Sequence, residues 1–180
     1  MRRFITLATM ALIGAAVVTH WQRVRELGRQ VLRKGTEEAS GAAEENKAVA
    51  RRSWEEVVNQ RNLDALEEIY APNFVWHEPD QDIQGYEQAK QFASTFFAAF
   101  PDININVEDV IGEGEQAVTR YTIRGTHQGE TEEFGPPTQK RMELKGITIH
   151  RFEGDKIVEE WERYDNLSVM QQLGLAPEEQ

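Results

Sequence analysis

The sequence contains no cysteine in 180 residues. Disulfide frameworks, thiolate metal ligands and thiol nucleophiles are therefore excluded, while the redox compartment stays open. Histidine is scarce as well: four copies are scattered along the chain and form no metal-ligand spacing with the carboxylates. No metal is expected. The sequence also lacks a G-x-S-x-G elbow, a phosphate-binding loop and a dinucleotide fingerprint, and Gly112-Glu113-Gly114 reads as a turn between strands. Positive charge is the last shortage, since 20 lysines and arginines face 31 aspartates and glutamates for a formal charge of -11. An acidic body repels phosphate backbones, so nucleic acid is ruled out as the main partner.

That charge is unevenly spread. Residues 1–35 hold seven basic residues against Glu26 alone, a net of +6, which leaves -17 on residues 36–180. The basic part contains an uncharged apolar run, Phe4 to Val18, about 15 residues long where a membrane span needs roughly 20. Trp21 suits an interface position just beyond it. A basic start, an apolar centre and the small residues Gly14, Ala15 and Ala16 also fit a cleaved signal peptide. The arginines that follow favour retention on the cytoplasmic side. Residues 1–33 are thus expected to be a membrane anchor ahead of a cytoplasmic domain, with a cleaved leader or no membrane role as the alternatives. Residues 34–45 are small, acidic and poor in apolar side chains, and read as a linker.

Residues 46–177 read as one folded domain. Val49, Trp54, Val57 and Val58 stand near helical spacing within Asn46 to Gln60. Asn62 is a natural N-cap for a second helix through Leu63, Leu66, Ile69 and Tyr70, which Pro72 ends. Phe74 to His77 is a short strand stopped by Pro79. Ala89, Phe92, Phe96, Phe97 and Phe100 give Tyr86 to Phe100 one aromatic helical face. Four strands follow, Ile103–Ile111, Gln116–Thr126, Lys140–Phe152 and Lys156–Tyr164, the last two joined by a turn at Glu153-Gly154-Asp155-Lys156. A short helix capped by Asn166 and stopped by Gly174 closes the domain. Helices followed by antiparallel strands indicate an α+β architecture, with helices on one face of a curved sheet and a pocket at the mouth of the resulting cone.

The most specific motifs are H-x-G at His127 to Gly129, G-P-P-T at Gly135 to Thr138, and D-K-I-x-E followed by Q-L-G. With this order of elements, residues 46–177 resemble the SnoaL-like polyketide cyclase or ester cyclase branch of the nuclear-transport-factor-2-like (NTF2-like) superfamily. The resemblance implies an NTF2-like cone, a homodimer formed through the open sheet face, and ring closure by intramolecular aldol condensation without metal or cofactor. Such a reaction needs a base for an α-proton, stabilisation of the enolate and an acid for the new alkoxide. One carboxyl of raised pKa can make both transfers if apolar walls disfavour its charge.

Laid on this chain, the family pattern puts the essential acid at Glu162, a frequent histidine at Glu160 and a final aspartate at Asp165. A second family histidine falls at Thr148 and a glutamine at Gly146, while His150 stands two residues along on the same strand face. Steroid-isomerase-like relatives carry their base directly before a proline, a place that Glu78 occupies here beside His77. Catalytic candidates are therefore Glu162, Asp165, His150 and Glu78. Trp54, Trp76, His77, Phe96, Tyr121, Thr148 and Trp161 are candidate ligand contacts, with Phe92 and Phe97 as further aromatics that line a pocket or fill the core. His127 has a structural or rim role. The expected function is acid/base chemistry on a small apolar carbonyl compound. The rivals are a non-catalytic binding or assembly module of the same fold, and an isomerase or dehydratase that uses Glu78.

Overall fold

A computed structural model of the chain describes residues 5–132 and 134–176, with side chains from residue 22 onward. The chain divides into two compact units, Met1–Gly41 and Ala42–Gln180. Helix α1 spans Ile5–Arg52. In the first unit its surface carries the spaced ion pairs Arg29–Glu26, Arg33–Glu37 and Lys34–Glu38, and Val24, Leu27, Val31 and Leu32 are exposed. Residues 34–45 are helical throughout, as their three alanines and four glutamates allow, and the division between the units falls inside that stretch. The apolar run Phe4 to Val18 lies outside the residues whose side chains are described. Among the described residues no helix is long and apolar enough to cross a membrane.

The second unit is α+β. The end of α1 widens into a π-helical segment, Ser53–Asn59, that buries Ser53, Trp54 and Val57. Helix α2 covers Ala65–Ile69 and starts at Asp64 without a side-chain cap. Asn62 does not cap it as expected; only its backbone carbonyl accepts, from Ala65 at 3.2 Å. Strand β1, Tyr70–His77, begins directly after α2, earlier than the sequence suggested. Pro72 thus sits in a strand rather than at a helix end, in the irregular stretch between Tyr70 and Val75 where a missing N–H costs little. A short strand β2, Asp82–Gln84, precedes α3, Gly85–Ala99.

The remaining strands are β3, Asn104–Glu113; β4, Gln116–Thr126; β5, Arg141–Glu153; and β6, Lys156–Tyr164, followed by α4, Asn166–Leu173. They form one six-stranded sheet in the order β2-β1-β6-β5-β4-β3. The expected all-antiparallel sheet is instead mixed, because β1 lies parallel to β6 while every other neighbouring pair is antiparallel. The β5–β6 turn is as expected, with Gly154 at a φ of 64° and Glu153 opposite Lys156. Gly112 and Glu113 belong to β3, and the turn into β4 lies at Gly114 and Glu115.

Two apolar clusters form the core. One gathers α2, β1 and α3 around Ile69, Phe74 and Ala89; the other gathers α3, β4, β5 and α4 around Phe100, Ile123 and Leu173. The H-x-G and G-P-P-T motifs clip a long loop onto the end of α3. Gln128 and Gly129 donate to the Ala99 carbonyl at 2.9 and 3.1 Å, and the Thr138 amide donates to Nδ1 of the buried His127 at 3.3 Å. His127 is therefore structural. A Cβ at Gly129 would stand 1.8 Å from the Ala98 carbonyl oxygen. Gly129→Ala is expected to lower stability by about 1–3 kcal/mol through this overpacking, read as a lower urea midpoint with unchanged slope.

Candidate functional site

The cavity lies between the two clusters, where the π-helical segment, β1, α3 and the ends of β4, β5 and β6 fail to close. Its empty volume, counted out through the mouth, is ≈ 810 Å³. Its walls are mainly apolar. Trp54 and Val57 come from the π-helical segment, Trp76 from β1, and Phe92, Phe96 and Phe97 from α3. The aromatic spacing along α3 thus produces one lined face rather than solid core: Phe92 meets Trp76 edge-on at 5.0 Å and stacks on Phe96 at 6.4 Å. Against this apolar surface stand three carboxyl side chains, Glu78, Glu160 and Glu162, with no lysine, arginine or histidine on the wall.

Glu162 comes from β6 and is 3% exposed. Its Oε2 accepts from the Trp76 indole at 3.0 Å and its Oε1 accepts from the Tyr121 hydroxyl. Burial raises its pKa above the ordinary carboxylate range, with Glu160 adding to the rise and the Tyr121, Glu78 and Trp76 hydrogen bonds opposing it. Tyr121 reaches Glu162 because the residue opposite it on β5 is Gly146, where a Cβ would lie 2.4 Å from the phenol oxygen. Burial and the neighbouring Glu162 also push the Tyr121 phenol well up, so it stays a donor.

Glu78, at the end of β1 and 7% exposed, is pushed up to about 10 by burial and then by Glu162 beside it. Its Oε2 is buried without a hydrogen-bond partner. Glu78 therefore keeps its proton at neutral pH. Glu162 is the readier of the two to ionise, because it has the donors that favour its charged form. Glu160 is held separately. Its Oε1 accepts from Tyr70 at 3.1 Å and lies 2.5 Å from His150 Nδ1, and His150 Nε2 lies 2.9 Å from Thr119 Oγ1.

The structure thus joins Glu78 and Glu162, which the sequence offered as rival bases, in a single site. Other candidates are corrected. Asp165 does not reach the cavity: it is exposed, its side chain accepts from the Ser168 amide at 2.9 Å, and it takes the capping role expected of Asn166. Trp161 and His77 stack on each other at 5.5 Å, with His77 bonded to Asp82 at 2.7 Å and Glu159 at 3.2 Å, so neither lines the cavity. His150 and Thr148 are fully buried behind the wall, and Tyr121 backs it rather than lining it. Trp54, Trp76 and Phe96 do line it. The sequence reading missed Tyr70, Tyr164 and Glu160 as wall residues, although strand alternation puts 160, 162 and 164 on one face of β6. Among the described residues, no group of three or more histidines and carboxylates is placed to hold a metal ion.

A mixed sheet wrapped by helices, with acids set into an otherwise apolar cavity, defines the NTF2-like cone class. Within that class the sequence matches the model of the SnoaL-like polyketide cyclases over residues 48–173, and the chain belongs to this family. No curated protein matches the sequence. Among solved structures, a candidate SnoaL-like polyketide cyclase from Jannaschia sp. CCS1 is 24% identical with a TM-score of 0.68, covering 75% of this chain and 95% of its own. IdmH, a candidate polyketide cyclase from Streptomyces antibioticus, is 28% identical with a TM-score of 0.62, over 72% of this chain and 98% of its own. A candidate polyketide cyclase from Acidithiobacillus ferrooxidans is 27% identical with a TM-score of 0.64, over 74% and 96%.

Two outcomes follow from the site geometry. Between its ordinary value of 4.5 and about 10, Glu78 holds a proton in the folded chain that the unfolded chain has released. Folding stability therefore falls with rising pH across that window, by at most about 1.4 kcal/mol per pH unit. Glu78→Gln removes this titration, so urea unfolding should show its advantage over the unsubstituted protein growing from about pH 5 to about pH 9. Asp165→Ala should cost about 1 kcal/mol through loss of the α4 cap, without altering ligand affinity at the cavity.

Proposed function

We propose that the cavity binds a small, largely apolar carbonyl compound and that Glu162 moves its protons in an aldol-type ring closure without a cofactor. The observation that carries this reading is Glu162 itself: a deeply buried carboxylate, fixed by Trp76 and Tyr121, on the wall of an aromatic cavity. Burial strengthens it as a base, and two donors fix its direction, so its proton affinity and its aim are set together. Glu162 takes a proton from the carbon beside a carbonyl. The resulting enolate attacks a second carbonyl of the same molecule, forming one carbon–carbon bond. The alkoxide so produced recovers the proton from Glu162, leaving the carboxylate as it began.

Glu78 has a different part. Carrying its proton, it lets Glu162 remain ionised without like-charge repulsion. Membership of the SnoaL-like family and the likeness to candidate polyketide cyclases support a cyclase over other proton-transfer enzymes.

The proton step is measurable without the natural substrate. In deuterated buffer, the protein should accelerate exchange of the α-protons of a small apolar β-keto ester, followed by NMR. Glu162→Gln should slow that exchange by about 10²–10⁴-fold. Glu78→Gln copies the protonated form and should cost at least about tenfold less. A larger loss in Glu78→Gln would make Glu78 the base and favour isomerase-type chemistry. No loss in either variant would leave a binding module.

A further inference from the structure

The three cavity carboxyls are not equally provided for. Both oxygens of Glu162 have donors, from Tyr121 and Trp76, and Glu160 has Tyr70 and His150. Glu78 Oε2 has none, although the residue is 7% exposed. A buried acceptor without a donor costs free energy that a ligand can recover. Glu78 also lines a second, smaller cavity with Pro79, Asp80, Phe134 and Asn166, so it stands where the two spaces adjoin. A ligand in either space meets the Glu78 side chain.

The surroundings of that oxygen specify the donor. The wall carries three carboxyls and no basic side chain, and facing them are the rings of Trp54, Trp76, Phe92, Phe96 and Phe97. Aromatic faces and carboxylates attract the same partner, a cation, and both attractions strengthen where water is excluded. A neutral hydroxyl would satisfy Glu78 Oε2 but could not replace the proton that Glu78 holds beside Glu162. A ligand with an apolar body and an ammonium group can do both, and its charge also faces the aromatic rings.

We infer that the compound taken up by this cavity carries a protonated amine on its apolar body, with the amine donating to Glu78. This rests on the cavity being the ligand site, and it narrows the substrate to amino-bearing carbonyl compounds. Glu162 keeps its role, because the ammonium sits against Glu78 and leaves the carboxylate free to reach carbon-bound protons.

The test uses the full chain and three probes of one shape: 4-phenylbutylamine, 4-phenylbutan-1-ol and pentylbenzene, titrated calorimetrically near neutral pH. The amine should bind at least about tenfold more tightly than the alcohol. The bound ammonium takes the place of the proton on Glu78, which leaves to solvent; a glutamine has no such proton to yield, so in Glu78→Gln the ratio of amine to alcohol affinity should fall by about fivefold or more. An alcohol or hydrocarbon that binds as tightly as the amine overturns the inference, as does a ratio that survives in Glu78→Gln. The first comparison needs no variant, so it stands even if Glu78→Gln folds poorly. Binding of none of the probes overturns both this inference and the choice of cavity, whereas α-proton exchange tests the chemistry at Glu162 independently.

Discussion

The domain is organised around the cost of keeping a carboxylate out of water. Glu162 is buried almost completely, and an isolated charge in such a place would simply take up a proton. What opposes that is a pair of donors from two other strands, Tyr121 on β4 and Trp76 on β1, that converge on its two oxygens. Those donors reach it only because β1 lies parallel beside β6 and β4 lies one strand beyond β5. The mixed sheet order is thus a requirement of the site. A β1 placed elsewhere in the sheet would take Trp76 and Glu78 away from Glu162 together.

The pair Gly146 and Tyr121 shows how one small residue reshapes the surroundings of an acid. Where the family pattern leads to a glutamine, this chain has a glycine, and the vacated volume is filled by a phenol from the neighbouring strand. Tyr121 is packed on Trp54 at 4.6 Å, so its donor is held by ring contacts on one side and by the glycine gap on the other. A similar exchange occurs at Glu160. The histidine expected there is absent, and His150 supplies an imidazole from β5 directly opposite. Donor chemistry is kept in both places, but it comes from a different strand and lies behind the wall instead of on it. The result is a cavity whose own surface is more acidic than the family pattern implied.

Much of this was legible in the sequence, because alternation and turn chemistry act locally. The β5–β6 hairpin follows from Gly154, and the end of α4 from Gly174, whose φ of 72° suits a residue without a side chain. Glu162 was legible through motif spacing and Glu78 through its proline. Their meeting was not, since it depends on a parallel pairing between segments more than 80 residues apart. Asp165 misled because a conserved-looking spacing does not say which way a side chain points. Three residues past Glu162 it lies on the other parity and beyond the strand end, where the nearest unsatisfied groups are helix amides. Trp161 misled for the same reason, being one residue from Glu162 and hence on the opposite face. The start of β1 was obscured by Pro72, a residue that ends helices and is equally at home where a strand's pairing is irregular.

The π-helical segment ties the apolar wall to the acidic one. Trp54, Val57 and Val58 stand at i, i+3 and i+4, a spacing that shares one side of a helix and presents all three to the cavity. All three line the cavity, together with Ser53, whose hydroxyl is turned back onto the Ala50 carbonyl at 2.8 Å and so adds no free donor to the wall. The same turn holds Trp54 against Tyr121, which in turn holds Glu162. The wall facing the carboxyls is therefore kept apolar by the element that also steadies the phenol beneath them. The apolar wall and the steadied phenol thus share one helical segment, and Trp54 belongs to both.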